Sequence, residues 1–359
     1  MRIGIDGQAL KGKRTGIGRY VFELCKELDK IMPDAQFFVY SKEPVDMPVK
    51  SERWIARVDS LLYSRYIWMW IKFRGGYFCQ KDKLDAFWGS SSFLPLLSSK
   101  THTVVTVYDL NYILVPDTMS WRNLIGFKLF FKRDVLSSDV VLTISQGTAQ
   151  RLWELTGVKA REVVYPTISD TFSVQSPEKI KECLIKYNID FPYFLAVATW
   201  EPRKNLELLV ETFLDMRKDG LLENYKLLLV GNKGWKDSKL CSLLDKQDSI
   251  FPVGYVCDED LPCLYSGAKA FIFPSVYEGF GIPVLEAKAC GTQVIATDIP
   301  EIREAGGEGP IYIKPTKEGI RQGILKCMQE PLYNYQMTDY RCWSDGAKVL
   351  SQALQANFN

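Results

Sequence analysis

The chain has 359 residues, 47% hydrophobic and 25% charged, with a formal net charge of +2. That length suits about two domains, each with a core of its own. The near-neutral balance argues against general nucleic-acid binding, and nine cysteines with no C-x-x-C pair argue against a disulfide framework or structural zinc.

In chain order, the first half alternates short apolar runs with amphipathic ones. Strands are expected at 2–6, 36–40, 86–88, 103–107 and 140–144, and helices at 17–31, 121–136 and 146–156. No leader-like segment precedes the opening strand, and no apolar run approaches the roughly 20 residues that span a bilayer. A cytoplasmic protein is expected, with or without peripheral attachment to the membrane. After the first strand, Gly12 to Tyr20 reads Gly-Lys-Arg-Thr-Gly-Ile-Gly-Arg-Tyr. Gly16 and Gly18 allow a tight turn whose amides contact phosphate, though the third glycine of a dinucleotide fingerprint is absent. The plain alternative is a turn before a helix. Asp109, at the tip of the 103–107 strand, either binds an acceptor hydroxyl or caps a turn. Aromatic residues mix with cations in 63–74 and again at Lys128, Phe130, Phe131, Lys132 and Arg133. Such mixtures suit a lipid headgroup region, or else the aromatics fill the core while the cations stay solvated.

The Ser-, Pro- and charge-rich stretch 166–192 reads as a junction. Beyond it, strand-like runs at 193–198, 225–230, 250–253, 270–273 and 293–297 alternate with helices. Apolar strands separated by helices imply parallel sheets covered on both faces. Ligands of such sheets lie at the carboxyl ends of the strands. There stand Glu201-Pro202-Arg203-Lys204-Asn205, whose Arg203 and Lys204 suit a pyrophosphate, unless the loop is merely solvated with Asn205 as its helix cap. Gly231-Asn232-Lys233-Gly234 does not complete a P-loop. The most informative stretch is 273–291, Phe-Pro-Ser-Val-Tyr-Glu-Gly-Phe-Gly-Ile-Pro-Val-Leu-Glu-Ala-Lys-Ala-Cys-Gly. Pro283 suits a first helical position and Gly291 a left-handed cap. Gly279 and Gly281 let backbone amides approach a ligand at the helix N-terminus. Glu278 precedes the loop and Glu286 is expected in the first helical turn. The two carboxylates either bracket a polyol joined to phosphate, as in a nucleotide sugar, or complement the helix dipole.

Taken together, Thr15 to Tyr20, Val140 to Ser145, Glu201 to Asn205, Gly254-Tyr255-Val256 and the E-x7-E segment Glu278 to Gly291 resemble glycosyltransferase family 4. Trp343-Ser344 and the helical tail match the family's closing segment. The resemblance implies retaining transfer from a nucleotide sugar on two Rossmann-like domains, the GT-B fold. It further implies that Glu278 and the amides of Gly279, Phe280, Gly281 and Ile282 hold the sugar and phosphate. Glu286 would hold the ribose, and the backbone at Val256 the base. Arg203 and Lys204 would stabilise the departing diphosphate in place of a metal, with Gly16 reaching over from the other domain. The chain departs from many relatives in carrying Tyr108-Asp109 for His-Asp, Ala198-Thr199 for Gly-Arg or Gly-Thr, and Pro166-Thr167-Ile168-Ser169 for Asn-Gly-x-Asp. Asp109, Arg203, Lys204 and Glu278 are the expected catalytic residues.

The expected fold class is therefore α/β, two doubly wound Rossmann-like domains facing a cleft. Residues 1–168 form the acceptor side, 169–341 bind the donor, and 342–359 form a helix packing back on the first domain. The expected function is transfer of a hexose, mannose or a relative, from a GDP donor or else a UDP or dTDP donor. The acceptor is lipid-linked or an oligosaccharide of a surface polysaccharide, with peripheral contact at the inner membrane face, no nucleic-acid partner, no cofactor and no metal. The alternatives are a non-catalytic nucleotide-sugar binding protein and a phosphorylase-like enzyme. A phosphorylase would need a pyridoxal phosphate lysine in a longer chain. A glycoside hydrolase would need two carboxylates facing each other across a bond.

Overall fold

The computed structural model describes residues 1–12, 16–59, 67–97, 101–234, 238–244, 247–335 and 342–356. The chain divides into two units, Met1–Thr167 with Tyr340–Asn359, and Ile168–Asp339.

The first unit is built on seven parallel strands: β1 (Arg2–Asp6), β2 (Gln36–Ser41), β3 (Trp54–Val58), β4 (Ala86–Gly89), β5 (His102–Val107), β6 (Val140–Thr143) and β7 (Glu162–Val163). Their order is β3-β2-β1-β4-β5-β6-β7. Ile3, Ile5, Phe37, Val39, Phe87, Val105 and Leu142 are fully buried, because helices cover both faces. The closing helix Trp343–Gln355 packs on helix Gly16–Ile31 and on β4 and β5. Leu350 and Leu354 are buried there, and the Tyr20 and Trp343 rings meet edge to face at 5.9 Å. His102, the only histidine, fixes that helix with Nε2 at 2.8 Å from the Ala353 carbonyl. A carbonyl only accepts, so Nε2 carries the proton.

The expected helix 121–136 is a composite. Helical turns Trp121–Gly126 and Lys132–Ser137 flank a π-helical turn at Phe127–Phe131, and the preceding helix has another at Ile71–Gly75. Between them Lys72 donates to both oxygens of Asp134, a buried ion pair, and the Leu94 amide donates to Asp134 at 3.0 Å. Burial lowers the Lys72 ammonium and raises the Asp134 carboxyl, each opposed by its partner. Trp70, Ile71, Lys72 and Phe131 therefore fill the core. Tyr63 to Tyr66, the start of the first aromatic-basic cluster, lies outside the described residues.

At the carboxyl end of β1, Asp6 is fully buried; it accepts from Ser91 and, at 3.1 Å, from the Gln8 amide. Burial outweighs these bonds and the nearby Lys11 charge, raising the carboxyl from 3.8 to about 6. The folded state thus holds a proton that the unfolded chain releases between those values. Stability from this group is present below pH 3.8 and is lost as pH rises through about 6. Asp6→Asn is expected to flatten this part of the thermal-midpoint profile between pH 4 and 6; an unchanged slope would show that Asp6 titrates as in the unfolded chain.

The second unit has six parallel strands: β8 (Tyr193–Val197), β9 (Lys226–Val230), β10 (Ile250–Gly254), β11 (Ala270–Phe273), β12 (Val294–Thr297) and β13 (Ile311–Ile313), in the order β10-β9-β8-β11-β12-β13. The chain winds outward from β8 to one edge, then returns to the other side of β8 with β11. Both sheets carry this doubly wound pattern, which opens a crevice at the carboxyl ends where the winding reverses. In the second unit that place lies between β8 and β11.

Candidate active site

The loops after β8 and β11 are stitched together before any side-chain chemistry begins. The Val276 amide donates to the Arg203 carbonyl at 2.9 Å, and Asn205 Nδ2 donates to the carbonyls of Pro274 at 3.2 Å and Pro315 at 3.4 Å. Asn205 has a left-handed backbone (φ 57°) and makes no side-chain cap to the helix Leu206–Lys218 that follows, contrary to its expected role as a cap. Its amide is spent holding three loops. Gly231 fixes the adjoining β9 end against β8. Its φ is 132°, and a Cβ there would sit 1.9 Å from the Ala198 oxygen, so only glycine fits.

This frame holds Glu278 between two cations. Arg203 Nη1 donates to Oε2 at 2.6 Å and Lys204 Nζ to Oε1 at 2.6 Å. Arg203 Nε also donates to Glu201 at 3.1 Å, and the Lys204 ammonium lies 5.2 Å from the Phe273 ring centroid. Glu278 is 7% exposed. Burial alone raises its carboxyl, but the Arg203 and Lys204 charges prevail and hold it at about 2. It is therefore ionised at any working pH. Burial and the neighbouring Arg203 charge lower the Lys204 ammonium, while burial raises Glu201 against the pull of both cations. The two cations are satisfied by protein carboxylates, so a dianion bound here would compete with Glu278 for them.

The segment after Glu278 turns at Gly281 (φ 117°), which caps helix Ile282–Ala289. Gly279 and Phe280 lead into that turn, with the Phe280 ring buried. Ile282 takes the first helical position and Pro283 the second, and Gly291 (φ 71°) is left-handed as expected. Glu286 is corrected by one turn: the first turn holds no acidic residue, and Glu286 lies beyond it. It is buried, and Tyr265 Oη donates to its Oε2 at 3.0 Å. The Tyr265 carbonyl in turn accepts from Thr292 Oγ1 at 2.6 Å. So Glu286 is fixed by a tyrosine on a neighbouring helix and does not serve as a dipole partner. Tyr265→Phe is expected to weaken nucleoside diphosphate binding by roughly three- to tenfold, about the net worth of one hydrogen bond, with kcat unchanged. Calorimetry with steady-state kinetics checks this; unaltered affinity would separate Glu286 from the nucleotide.

Val256 follows β10 and the left-handed Gly254 (φ 80°), and its side chain joins the core with Leu261 and Leu264. Only its backbone is left to meet a ligand. In the first unit, Gly16 is exposed at the first position of helix Gly16–Ile31, while Lys13 to Thr15 lie outside the described residues. Asp109 accepts from the Asn111 amide at 3.1 Å and from Asn111 Nδ2 at 2.8 Å, an Asx turn at the strand tip. The structure thus brings Arg203, Lys204 and Glu278 into direct contact and places Asp109 and Gly16 in the other unit. The buried polar atoms without a hydrogen-bond partner that received no role from the sequence include Thr297 Oγ1, at the end of β12, and Trp200 Nε1, after β8. Their signal was position alone, a polar atom at the carboxyl end of a buried strand.

Residues 185–341 match the family of glycosyl transferases group 1 and form a domain of that kind. The O-antigen chain mannosyltransferase B of Escherichia coli is 28% identical over 378 residues, covering 99% of this chain and 96% of that protein. Among solved structures, WaaG, a glycosyltransferase involved in lipopolysaccharide biosynthesis, aligns with a TM-score of 0.73 at 15% identity over 99% of this chain and 98% of its own. The sucrose-phosphate synthase of Thermosynechococcus elongatus aligns with a TM-score of 0.71 at 19% identity, over 100% of this chain and 95% of its own. The fold they share with this chain is the pair of Rossmann-like domains termed GT-B.

Proposed function

We propose that this chain, a glycosyltransferase by its group 1 domain, moves mannose or a related hexose from a GDP-linked donor. Transfer retains the anomeric configuration, and the acceptor is a lipid-linked or oligosaccharide intermediate of a surface polysaccharide, met at the membrane face. The mannosyltransferase likeness along the whole chain supports the sugar and the pathway class. The observation that carries the chemistry is the largely buried Arg203–Glu278–Lys204 cluster at the winding reversal of the second sheet.

The two cations are placed to receive the donor diphosphate. Negative charge grows on that group as the sugar bond breaks, and preorganised cations in a dry site stabilise the growth most. Glu278, released from the cations, turns to the hydroxyls of the transferred sugar. The Phe280 to Ile282 amides meet the phosphate, Glu286 the ribose and the Val256 backbone the base. No metal is needed, since Arg203 and Lys204 carry the charge.

The test is a thermal-shift panel of GDP, UDP, dTDP and their sugars, followed by transfer assays with excess chelator. A ligand at 100 times its Kd stabilises by about 2.7 kcal/mol. GDP and GDP-mannose are expected to give the largest shifts, with transfer unaffected by chelator and the product keeping the donor's anomeric form. No shift with any nucleotide would refute the reading. Loss of transfer in chelator, restored by magnesium, would refute the metal-independent mechanism.

A further inference from the structure

The first sheet reverses its winding as the second does. From β1 the chain moves outward through β2 to β3, then returns with β4 on the other side of β1. The crevice of the first unit therefore opens at the carboxyl ends of β1 and β4, with β5 beside them. Asp6 closes β1, Ser90 to Ser92 follow β4, and Tyr108 follows β5.

Most polar groups there are spent on the frame. Ser90 Oγ donates to the Asp6 carbonyl at 2.5 Å, Ser91 Oγ to the Asp6 carboxylate, and Ser92 Oγ to the Thr106 carbonyl at 2.8 Å. The other Asp6 oxygen takes the Gln8 backbone amide at 3.1 Å, which fixes the place of Gln8. A second set of polar atoms is left over. Gln8 is 7% exposed, and neither its Nε2 nor its Oε1 has a hydrogen-bond partner. Tyr108 is 6% exposed, and its hydroxyl has none. Asn111 gives its Nδ2 to Asp109, while its Oδ1 is buried without a partner. Leaving buried amides and hydroxyls unpaired costs stability, so several together call for a partner that the protein itself does not supply.

The set of atoms defines the chemistry of that partner. Gln8 Nε2 and the Tyr108 hydroxyl donate, whereas Gln8 Oε1 and Asn111 Oδ1 accept. Burial, and after it the nearby Tyr20, Asp6 and Cys25, push the Tyr108 phenol well above its usual range, so it keeps its proton. Its ring is held edge to face against Tyr20 at 5.5 Å, and Tyr20 Oη is tied to the Val164 carbonyl at 3.0 Å. An anion would use the donors alone, and a cation the acceptors alone. Neighbouring hydroxyls of a sugar ring use both, and shielding from bulk water makes such bonds worth more.

We infer that Gln8, Tyr108 and Asn111 form a sugar-hydroxyl subsite within the first unit, which takes a ring of the acceptor. The donor contacts proposed above all lie in the second unit, which leaves the acceptor for the first. The inference deepens that reading and rests on it for the acceptor's role, but sugar binding is measured without any transfer.

The experiment titrates the full chain with methyl glycosides of mannose, glucose, galactose and N-acetylglucosamine, followed by saturation-transfer NMR without nucleotide. At least one is expected to bind. Tyr108→Phe should weaken it roughly three- to tenfold, the effect of one hydrogen bond, and Gln8→Leu, which removes a donor and an acceptor, by more. Thermal midpoints should hold or rise, since each variant removes an unpaired buried polar group. A purely structural role predicts the reverse, a lowered midpoint with sugar binding unchanged. Glu278→Gln should leave glycoside binding as it is. The inference is overturned if no methyl glycoside binds the parent chain, or if both variants bind it as the parent does, which would assign the cluster to buried water. It is also overturned if Glu278→Gln abolishes binding, which would move the sugar to the donor site. Binding lost in the Gln8 and Tyr108 variants of a chain that shows no nucleotide shift would uphold the subsite and count against the nucleotide-sugar reading alone.

Discussion

Glu278→Gln is expected to raise the affinity for free nucleoside diphosphate while sugar transfer collapses. The carboxylate occupies both cations proposed to meet the diphosphate, each at 2.6 Å, and it stays ionised because its carboxyl is held at about 2. Diphosphate binding must therefore break two charge-assisted contacts before making its own. Glutamine keeps the shape and removes the charge, so Lys204 loses its carboxylate and Arg203 keeps only Glu201, in a largely buried place. Such an uncompensated charge is costly, by several kcal/mol in general, and an incoming dianion relieves it. A gain in affinity of about tenfold corresponds to only about 1.4 kcal/mol of that cost. The Glu278 charge also supports the proton on Lys204, whose ammonium burial already lowers. The gain should accordingly grow as pH falls, with proton uptake on binding. Turnover should fall roughly 100- to 1000-fold, as on removing other transition-state contacts. Calorimetry at two pH values gives the first answer and single-turnover kinetics the second. Weaker diphosphate binding in the variant would show that Glu278 assists the phosphate site rather than competing for it.

The central strands of both sheets were legible in the sequence, as was the edge strand β10, and the other three edges were not. Strands β1, β4, β5, β8, β9 and β11 are buried on both sides, so their apolar runs admit little else. The unanticipated strands β3, β7 and β13 are all at sheet edges. An edge strand has one free flank; β7 and β13 have only 2 and 3 residues, and β3 buries only Trp54 and carries Arg57, which blunts its apolar signal. The π-helical turns escaped notice for a related reason: periodicity does not register one extra residue in a turn. In the site, residue types and spacing identified Arg203, Lys204 and Glu278. Their mutual pairing depends on β8 and β11 being neighbours across some seventy residues of chain, which no local pattern encodes. The same holds for Glu286, whose tyrosine partner comes from another helix. Among the aromatic-basic residues, composition could not tell inward from outward. Phe131 and Lys72 face the core, whereas Trp121, Ile125 and Leu129 face out.

Lys204→Ala is expected to lower kcat roughly 100- to 1000-fold while changing the donor KM far less. The ammonium is matched by Glu278 and braced over Phe273, which sets its position. The donor diphosphate carries its full charge only once the sugar has left, and the proposed worth of Lys204 is greatest at that moment. Alanine would also leave Glu278 with Arg203 alone, which lets the carboxylate hold the guanidinium more firmly and withdraws the second cation as well. Arginine should rescue poorly: the side chain at 204 is largely buried between Glu278 and the Phe273 ring, and a planar fork does not fill the place of a compact point charge. Steady-state and single-turnover kinetics on the alanine and arginine variants separate binding from chemistry, with thermal midpoints to confirm folding. A folded alanine variant with near-normal kcat would reduce Lys204 to a structural partner of Glu278 and leave Arg203 as the cation that meets the leaving group.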